Sequence, residues 1–262
     1  QGGAMYEDTQ LTGNSLTPRI AVNYLINPRH GLRAVYSEAI RSPDMFENNV
    51  NWSYRVTGLS TPVYGQNSAQ YFVKTRGPGN LDQEHMRSRE LGYNGYFVDQ
   101  ALNLDIKLFY DEITGMISEP LRNNQYIASN SNASRFAGTE SQLDWQLSRA
   151  DRLRLTYAYV HAQASNRLDQ RLTASNSGSA GWLRNWGQGW SSALFYYGDS
   201  ALNGYRFERV DTRIAKRLAL GSKTSLELAG TLQQRLDHQP TTFADNLYDS
   251  RHVVYFSAEL EF

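Results

Sequence analysis

Aromatic and guanidinium side chains are concentrated in one long polar stretch, residues 42–86, with Arg41 just before it. Tryptophan and tyrosine rings stack on sugars and aromatic chelates, while arginine pairs with anions and stacks on rings. Ordering so long a connection costs chain entropy, which favours a functional role for it. The residues that we expect to contact a ligand are Arg41, Trp52, Tyr54, Arg55, Tyr64 and Tyr71.

Catalysis and metal binding find little support in the sequence. The five histidines, at positions 30, 85, 161, 238 and 252, lack the close spacing and the neighbouring carboxylates of a metal site. The pair Asp237 and His238 suggests acid–base chemistry, but neither a second carboxylate nor a serine stands at a telling spacing. We therefore expect no catalytic residue, no metal site and no cofactor.

Composition narrows the class of protein. The 262 residues carry a formal net charge of zero, which gives no global field for nucleic acid, and they include no cysteine for disulfides or thiolate metal sites. No apolar run approaches the roughly 18 residues of a spanning helix, which excludes a helical membrane protein. The mean hydropathy of −0.58 is compatible with a membrane barrel, whose strands need only about 9 to 11 residues. No secretion leader begins at Gln1, so we expect a processed chain or part of a longer one.

β-Strands are the elements that would position these groups, because many segments alternate between apolar and polar residues. In residues 251–262 the even positions are mostly apolar and end on Phe262, whereas Glu259 and Glu261 stand on odd positions. Alternate residues of a strand point to opposite faces. In a membrane barrel the apolar face meets lipid and ends in an aromatic belt, while the polar face lines a wet lumen. We expect Phe262 to be a belt residue and the terminal signal for assembly.

The rhythm of turns and connections predicts the fold class. Tight turns, such as residues 27–31 and 148–151, alternate with mostly longer polar connections, and residues 1–14 resemble a loop. Short turns on a periplasmic rim and long loops outside are typical of outer-membrane barrels. We predict an all-β, transmembrane, antiparallel up-and-down β-barrel segment over residues 1–262, with a long extracellular loop at 42–86. The odd count of about eleven strands indicates part of a larger barrel. The strands are expected at residues 15–26, 32–41, 87–98, 101–117, 135–147, 152–163, 179–186, 189–199, 206–218, 223–234 and 251–262.

Charged and aromatic residues within the strands each have a structural and a functional interpretation. Charges inside a barrel usually form ion pairs, so a ladder of lumenal pairs, with Arg33 as a further partner, is the structural interpretation. The residues predicted to face the lumen are Glu90, Glu140, Arg152, Arg154 and Arg213. An aromatic girdle is favoured over ligand stacking for Tyr93, Tyr96, Tyr157, Tyr159, Trp182, Trp186, Trp190, Tyr196 and Tyr197.

Five motifs follow one another along the chain. They are TPRIAVNYLINPRHGLRAVYSEAIRSPDMFE at 17–47, GNLDQEHMRSRELGYNG at 79–95, LDIKLFYDEITGMI at 104–117, FAGTESQLDWQL at 136–147 and the terminal Phe262. In this order and spacing they resemble the C-terminal half of a TonB-dependent outer-membrane receptor, over nearly the whole chain. The resemblance implies the last half of a 22-stranded barrel whose lumen holds an N-terminal plug. Neither the plug nor a TonB box lies within these residues.

The resemblance also implies a function and partners. Such receptors bind a scarce nutrient at the surface of a Gram-negative bacterium, most often a ferric siderophore, for TonB-driven uptake. Cobalamin, haem and glycans are other ligands of the family, and a bacteriophage or a colicin could use the same loops. The implied partners are outer-membrane lipid, TonB and the plug, which Glu90 and Glu140 would contact. A passive porin and an outer-membrane hydrolase working with Asp and His are the alternatives to this non-enzymatic receptor.

Overall fold

The computed structural model describes residues 1–62, 64–118, 125–170, 173–200, 206–221, 223–237 and 250–262. It is almost entirely made of β-strands, as the alternating patterns predict. The strands are β1 (Gly2–Thr9), β2 (Gly13–Asn27), β3 (His30–Arg41), β4 (Asn51–Thr57), β5 (Ser68–Arg76), β6 (Glu84–Phe97), β7 (Leu102–Met116), β8 (Gln125–Ile127), β9 (Asn132–Gln146), β10 (Asp151–Ala164), β11 (Asn176–Gly187), β12 (Trp190–Asp199), β13 (Glu208–Ala219), β14 (Ser225–Arg235) and β15 (His252–Glu261).

Twelve of these strands form one sheet in the order in which they occur along the chain. The order is β1-β2-β3-β6-β7-β9-β10-β11-β12-β13-β14-β15, and each neighbouring pair is antiparallel. The sheet is open, with β1 at one edge and β15 at the other. These features confirm the antiparallel up-and-down architecture, and an unclosed sheet fits a partial barrel.

The side chains of the main sheet divide between two faces. The register aligns Leu91 with Leu108 on the outer face, and Lys107 with Glu140 on the inner face. Large apolar side chains of the outer face remain exposed, 61% for Leu91 and 53% for Leu108. Within the described part of the chain, few apolar residues are buried, and most of those are alanines. The sheet is thus not held together by an apolar core of the kind found in water-soluble proteins.

The two rims of the sheet differ in their connections. Residues 28–29, 98–101, 147–150, 188–189 and 220–224 join strands at the short-turn rim. At the long-connection rim, a short turn at 10–12 is followed by connections at 42–83, 117–131, 165–175, 200–207 and 236–251. The tight turn between β11 and β12 needs positive φ at three successive residues, and glycines occupy two of them, Gly187 and Gly189, on either side of Gln188.

The structure corrects three expectations from the sequence. Residues 1–14 are not a loop, because β1 pairs with β2 along eight positions. The main sheet therefore has twelve strands rather than about eleven. The stretch at 42–86 is not one irregular loop either, since it contains β4, β5 and the first three residues of β6.

Helices are short and confined to the connections. α1 (Met45–Asn49) starts at a capping box, in which the Asp44 carboxylate accepts a hydrogen bond from the Glu47 N–H at 2.6 Å and the Glu47 carboxylate accepts one from the Asp44 N–H at 3.0 Å. α2 (Arg167–Gln170) lies between β10 and β11. Among the described residues, no helix has both the length and the apolar character needed to cross a membrane.

Candidate functional site

Arg41, the last residue of β3, ties the longest connection to the main sheet. Its guanidinium lies 2.7 Å from Glu84 at the start of β6 and 3.0 Å from Glu47 of α1. Glu84 also accepts a hydrogen bond from the backbone N–H of Ile117 at 2.6 Å. Burial raises the pKa of the Glu84 carboxyl at this rim, but the hydrogen bonds from Arg41 and Ile117 outweigh burial and leave the pKa below its ordinary value. Arg41 thus lies at the base of the connection, with carboxylates on two sides of its guanidinium.

A buried junction beneath the long-connection rim joins the connections at 42–83 and 117–131. Asn48 is 4% exposed and accepts a hydrogen bond from the Leu81 N–H at 3.0 Å. Asn130 accepts one from the Asp82 N–H at 2.8 Å. The Asn48 amide thus satisfies a buried backbone donor, and the Asn130 amide satisfies one at an exposed position beside it. The apolar members of the junction are Leu81, Ile117 and Ala128, each at most 6% exposed.

A second, three-stranded sheet at this rim holds most of the predicted ligand contacts. β4 pairs antiparallel with β5, and β5 pairs parallel with β8, so two separate connections are fastened together. Tyr54 of β4 and Tyr71 of β5 are partners in the register. Trp52 is 52% exposed, and Arg55 is exposed and donates a hydrogen bond to the Ser68 hydroxyl at 2.9 Å. The sheet therefore brings four of the six predicted contacts onto neighbouring backbone positions.

Tyr64 lies apart from these four, in the segment that connects β4 to β5. Its side chain is fully exposed, and its backbone has a φ of +52°, which is uncommon for a residue other than glycine. The six residues thus take three positions: Arg41 at the base of the connection, Tyr64 in the segment between the two strands, and the other four in β4 and β5.

The five residues predicted to face the lumen lie on the inner face, and each belongs to an ion pair. The pairs are Arg33–Glu90 at 3.9 Å, Lys107–Glu140 at 2.8 Å, Arg152–Asp144 at 2.6 Å, Arg154–Asp144 at 3.0 Å and Arg213–Glu227 at 2.5 Å. Because these side chains are partly exposed to water, each pair contributes little to stability by itself. Contact between Glu90 or Glu140 and a plug stays a prediction.

The inner face carries a cluster of arginines and aromatic rings close to the long-connection rim. The sequence did not predict this cluster. The Arg209 guanidinium carbon lies 4.9 Å from the centre of the Tyr197 ring and 5.9 Å from that of Phe207. The Arg235 guanidinium lies 5.9 Å from the same Phe207 ring and pairs with Asp237. Phe207 and Arg209 are two residues apart, a spacing that puts them on one face, but their other partners come from neighbouring strands. Arg209 also pairs with Asp211 at 2.8 Å, so both guanidinium groups already have a carboxylate partner, and the cluster offers aromatic rings and guanidinium faces on which a planar group could stack.

The aromatic residues expected to form a girdle divide between the two faces. Only Tyr96 and Tyr197 lie on the inner face by register. Phe262 follows the outer-face positions of β15 and is 97% exposed. The outer-face members are Tyr93, Tyr157, Tyr159, Trp182, Trp186, Trp190 and Tyr196.

The histidines and carboxylates do not gather into a metal-binding group in the described parts of the chain. His238 lies outside the described residues, and Asp237 is in an ion pair with Arg235. The described residues include no group of three or more histidine and carboxylate side chains that could hold a metal ion.

Comparisons with known proteins agree on one family. A family model described as TonB-dependent receptor-like, β-barrel, matches residues 1–234. No curated protein sequence matches the chain. The siderophore receptor PirA from Pseudomonas aeruginosa superposes with a TM-score of 0.65 at 16% identity, over 99% of this chain and 44% of that one. The siderophore receptor PirA from Acinetobacter baumannii superposes with a TM-score of 0.66 at 12% sequence identity, over 98% of this chain and 42% of that one.

A third similar structure contains a bound ligand. It is a mutant of the ferric enterobactin receptor PfeA from Pseudomonas aeruginosa in complex with enterobactin, with a TM-score of 0.64 at 15% identity, over 88% of this chain and 36% of that one. The chain thus spans less than half the length of the structures it resembles. Identities this low establish a shared fold and leave the ligand open.

Proposed function

The chain belongs to the TonB-dependent receptor-like β-barrel family, and on that premise we propose that it forms the C-terminal part of an outer-membrane receptor. This receptor would bind a scarce nutrient at the surface of a Gram-negative bacterium and import it. The observation that carries the proposal is the second sheet at the long-connection rim, which fastens two connections together and carries exposed aromatic and guanidinium groups.

The two faces of the main sheet support a location in the membrane. Outer-face residues such as Ile20, Val22 and Leu91 are 57%, 61% and 61% exposed, and contact with lipid would remove this apolar surface from water. The inner face carries the ion pairs, which suit a wet lumen. The short turns would then face the periplasm and the connection at 42–83 the outside.

A ferric siderophore is the ligand class that the rim suits best. Catecholate chelates of iron are anionic and aromatic, so they match arginine by charge and tryptophan or tyrosine by stacking. Trp52, Arg55 and Tyr64 would make the first contacts, and Tyr197 and Arg209 would receive the ligand deeper in the lumen. Similar structures include receptors for siderophores and for ferric enterobactin, one with enterobactin bound, which supports this choice.

The remaining partners follow from the same proposal. A plug domain would fill the lumen and contact the inner face near Glu90 and Glu140, and TonB would supply the energy for uptake through that plug. The charge pairs Arg33–Glu90 and Lys107–Glu140 could exchange partners with charges of the plug as it moves, since both are partly exposed.

Uptake by living cells tests the proposal. The full-length protein would be expressed in a strain without ferric siderophore receptors, and uptake of radiolabelled iron bound to a catecholate siderophore would be followed with and without an uncoupler of the proton-motive force. We expect saturable uptake that the uncoupler abolishes. Uptake that is unsaturable and insensitive to the uncoupler would instead identify a passive pore.

A further inference from the structure

The outer face of β13, β14 and β15 contains a groove with a volume of about 990 Å³. The register aligns Ile214, Gly230 and Phe256 across these three strands. Because Gly230 has no side chain, the Phe256 ring can lie over it, with its Cε1 atom 3.3 Å from the position that a Cβ of residue 230 would take. Leu228 and Leu232 bound the same depression along β14. The groove is therefore apolar, and its size falls within the range of small-molecule pockets, roughly 300 to 1,000 Å³.

Lys216 closes the groove toward the short-turn rim. Its Nζ lies 5.0 Å from the centre of the Trp190 ring and donates a hydrogen bond to the carbonyl oxygen of Gln188 at 2.6 Å. An ammonium group has three N–H donors, so two of them can still bind an anion. The groove thus combines an apolar body with a cationic end.

The two arginines of β13 that flank Lys216 in sequence are neutralised, and they point the other way. Arg213 pairs with Glu227 at 2.5 Å, and Arg217 pairs with Glu261, all on the inner face. Lys216 faces outward, and no carboxylate within the described ranges forms an ion pair with it. A cation on a lipid-facing apolar surface raises the free energy of the folded protein unless an anion pairs with it or the polar membrane interface solvates it.

We propose that this groove binds a glycerophospholipid from the leaflet nearest the short-turn rim, with an acyl chain along Ile214 and the Phe256 ring and the phosphate on Lys216. The inference rests on the membrane location proposed above. The groove extends four residues along β13, from Lys216 to Thr212, which is about 14 Å at the usual rise of a strand. Because barrel strands are tilted by about 35 to 45°, this length covers roughly 10 Å of membrane depth, which is about two thirds of the hydrocarbon layer of one leaflet, about 15 Å thick. Trp190 stands beside Lys216, where tryptophan prefers the membrane interface.

Lipid binding to the purified full-length protein tests this inference. The protein would be delipidated in a mild detergent, and native mass spectrometry would measure the affinity for phosphatidylglycerol and for uncharged diacylglycerol. We expect one tightly bound phosphatidylglycerol and weaker binding of diacylglycerol. Lys216→Gln should weaken phosphatidylglycerol binding about fivefold and leave diacylglycerol binding unchanged, because only the phosphate is lost as a partner.

Two further variants separate the groove from general effects of charge or folding. Gly230→Val should displace the Phe256 ring into the groove, because a Cβ at position 230 would lie 3.3 Å from Cε1 of that ring, which is 85% exposed and can shift. This variant should weaken the binding of both phosphatidylglycerol and diacylglycerol. The protein should still show the heat-dependent gel mobility of a folded barrel. Lys223→Gln removes an exposed charge from the neighbouring turn at 220–224 and should change the affinity for neither lipid.

Wild-type affinity in either Lys216→Gln or Gly230→Val would overturn the inference, as would equal losses in Lys216→Gln and Lys223→Gln. Uptake of the ferric siderophore, measured in parallel, separates this inference from the proposed function. Normal uptake with no specific lipid binding would overturn only the lipid site. Specific lipid binding without uptake would leave the lipid site intact and contradict the receptor.

Discussion

Lys107 of β7 and Glu140 of β9 are direct partners in the register, and the Lys107 Nζ lies 2.8 Å from the Glu140 Oε2 on the inner face. The two residues are far apart in sequence, and the pairing of β7 with β9 brings them together. Their side chains are 25% and 52% exposed, so water screens the attraction. The pair is therefore a sign of the strand register, and it contributes little to the stability of the sheet.

Reversing the charge of Lys107 should destabilise the barrel by about 1 kcal/mol, because the new carboxylate would face Glu140 with Asp105 nearby on the same face. The free energy of unfolding of Lys107→Glu would be measured by urea titration of the full-length protein in detergent. Exchanging both charges, in Lys107→Glu with Glu140→Lys, should recover most of the loss. A double variant no more stable than Lys107→Glu would contradict this register.

The outer face should reject a charge that the inner face accepts. Leu108 is near the middle of β7 and faces outward, so Leu108→Arg is expected to cost about 2 to 4 kcal/mol or to block assembly. Gln142→Arg is the matched control, because Gln142 faces inward opposite Asp105. The amount of folded barrel in the membrane fraction would be compared for the two variants. Equal amounts would contradict the assignment of the two faces.

Glu84 should hold the connection at 42–83 against the main sheet and so protect it from proteases. Glu84→Gln removes the ion pair with Arg41 and weakens the hydrogen bond from the Ile117 N–H. We expect limited proteolysis at neutral pH to cleave this connection severalfold faster in Glu84→Gln than in the wild type. Glu90→Gln, which lies deeper on the inner face, serves as the control and should be cleaved at the wild-type rate.

The same carboxylate predicts a pH dependence. The pKa of Glu84 is lower in the folded protein than its ordinary value of 4.5, so its contribution to stability is fully present above that ordinary value. The contribution is lost as the pH falls through the lowered pKa. Cleavage by an acid-active protease should therefore accelerate below about pH 4 in the wild type, and Glu84→Gln should lack this part of the change.

Ligand affinity should depend on the exposed residues of β4. Trp52→Ala and Arg55→Ala are each expected to weaken binding of a ferric catecholate about tenfold, because each removes a stacking or charged contact. Thr57→Ala, an exposed position of the same strand, should bind like the wild type. Equilibrium binding of the radiolabelled chelate to cells would measure all three. Unchanged affinity in both Trp52→Ala and Arg55→Ala would move the ligand site away from this sheet.

Much of the main sheet follows from the sequence, because alternation fixes both the strand and its faces. Leu104 and Asp105 are on the outer and inner faces that their parity predicts, and Glu90 and Arg213 lie on the inner face. β1 could not be predicted in this way, because its glycines and acidic residues do not alternate with apolar residues. Its strand conformation comes from pairing with β2.

Contacts between strands could not be predicted in the same way. Lys107 was not among the residues predicted for the lumenal ladder, but the register places it opposite Glu140. The stacking of Arg209 on Tyr197 also depends on the register of two strands, which turn lengths set. Likewise, the pairing of β5 with β8 joins two connections that look unrelated in the sequence.

A receptor that binds its ligand at the long-connection rim requires that rim to face the outside of the cell. The chain has no cysteine, so a single substitution introduces the only thiol within these residues. Tyr64→Cys, in the long connection, and Arg149→Cys, in a short turn, would be treated on intact cells with a maleimide that cannot cross the outer membrane. We expect labelling of Tyr64→Cys in intact cells, and of Arg149→Cys only after the outer membrane is permeabilised. Labelling of Arg149→Cys but not Tyr64→Cys in intact cells would contradict a receptor that meets its ligand at the long-connection rim.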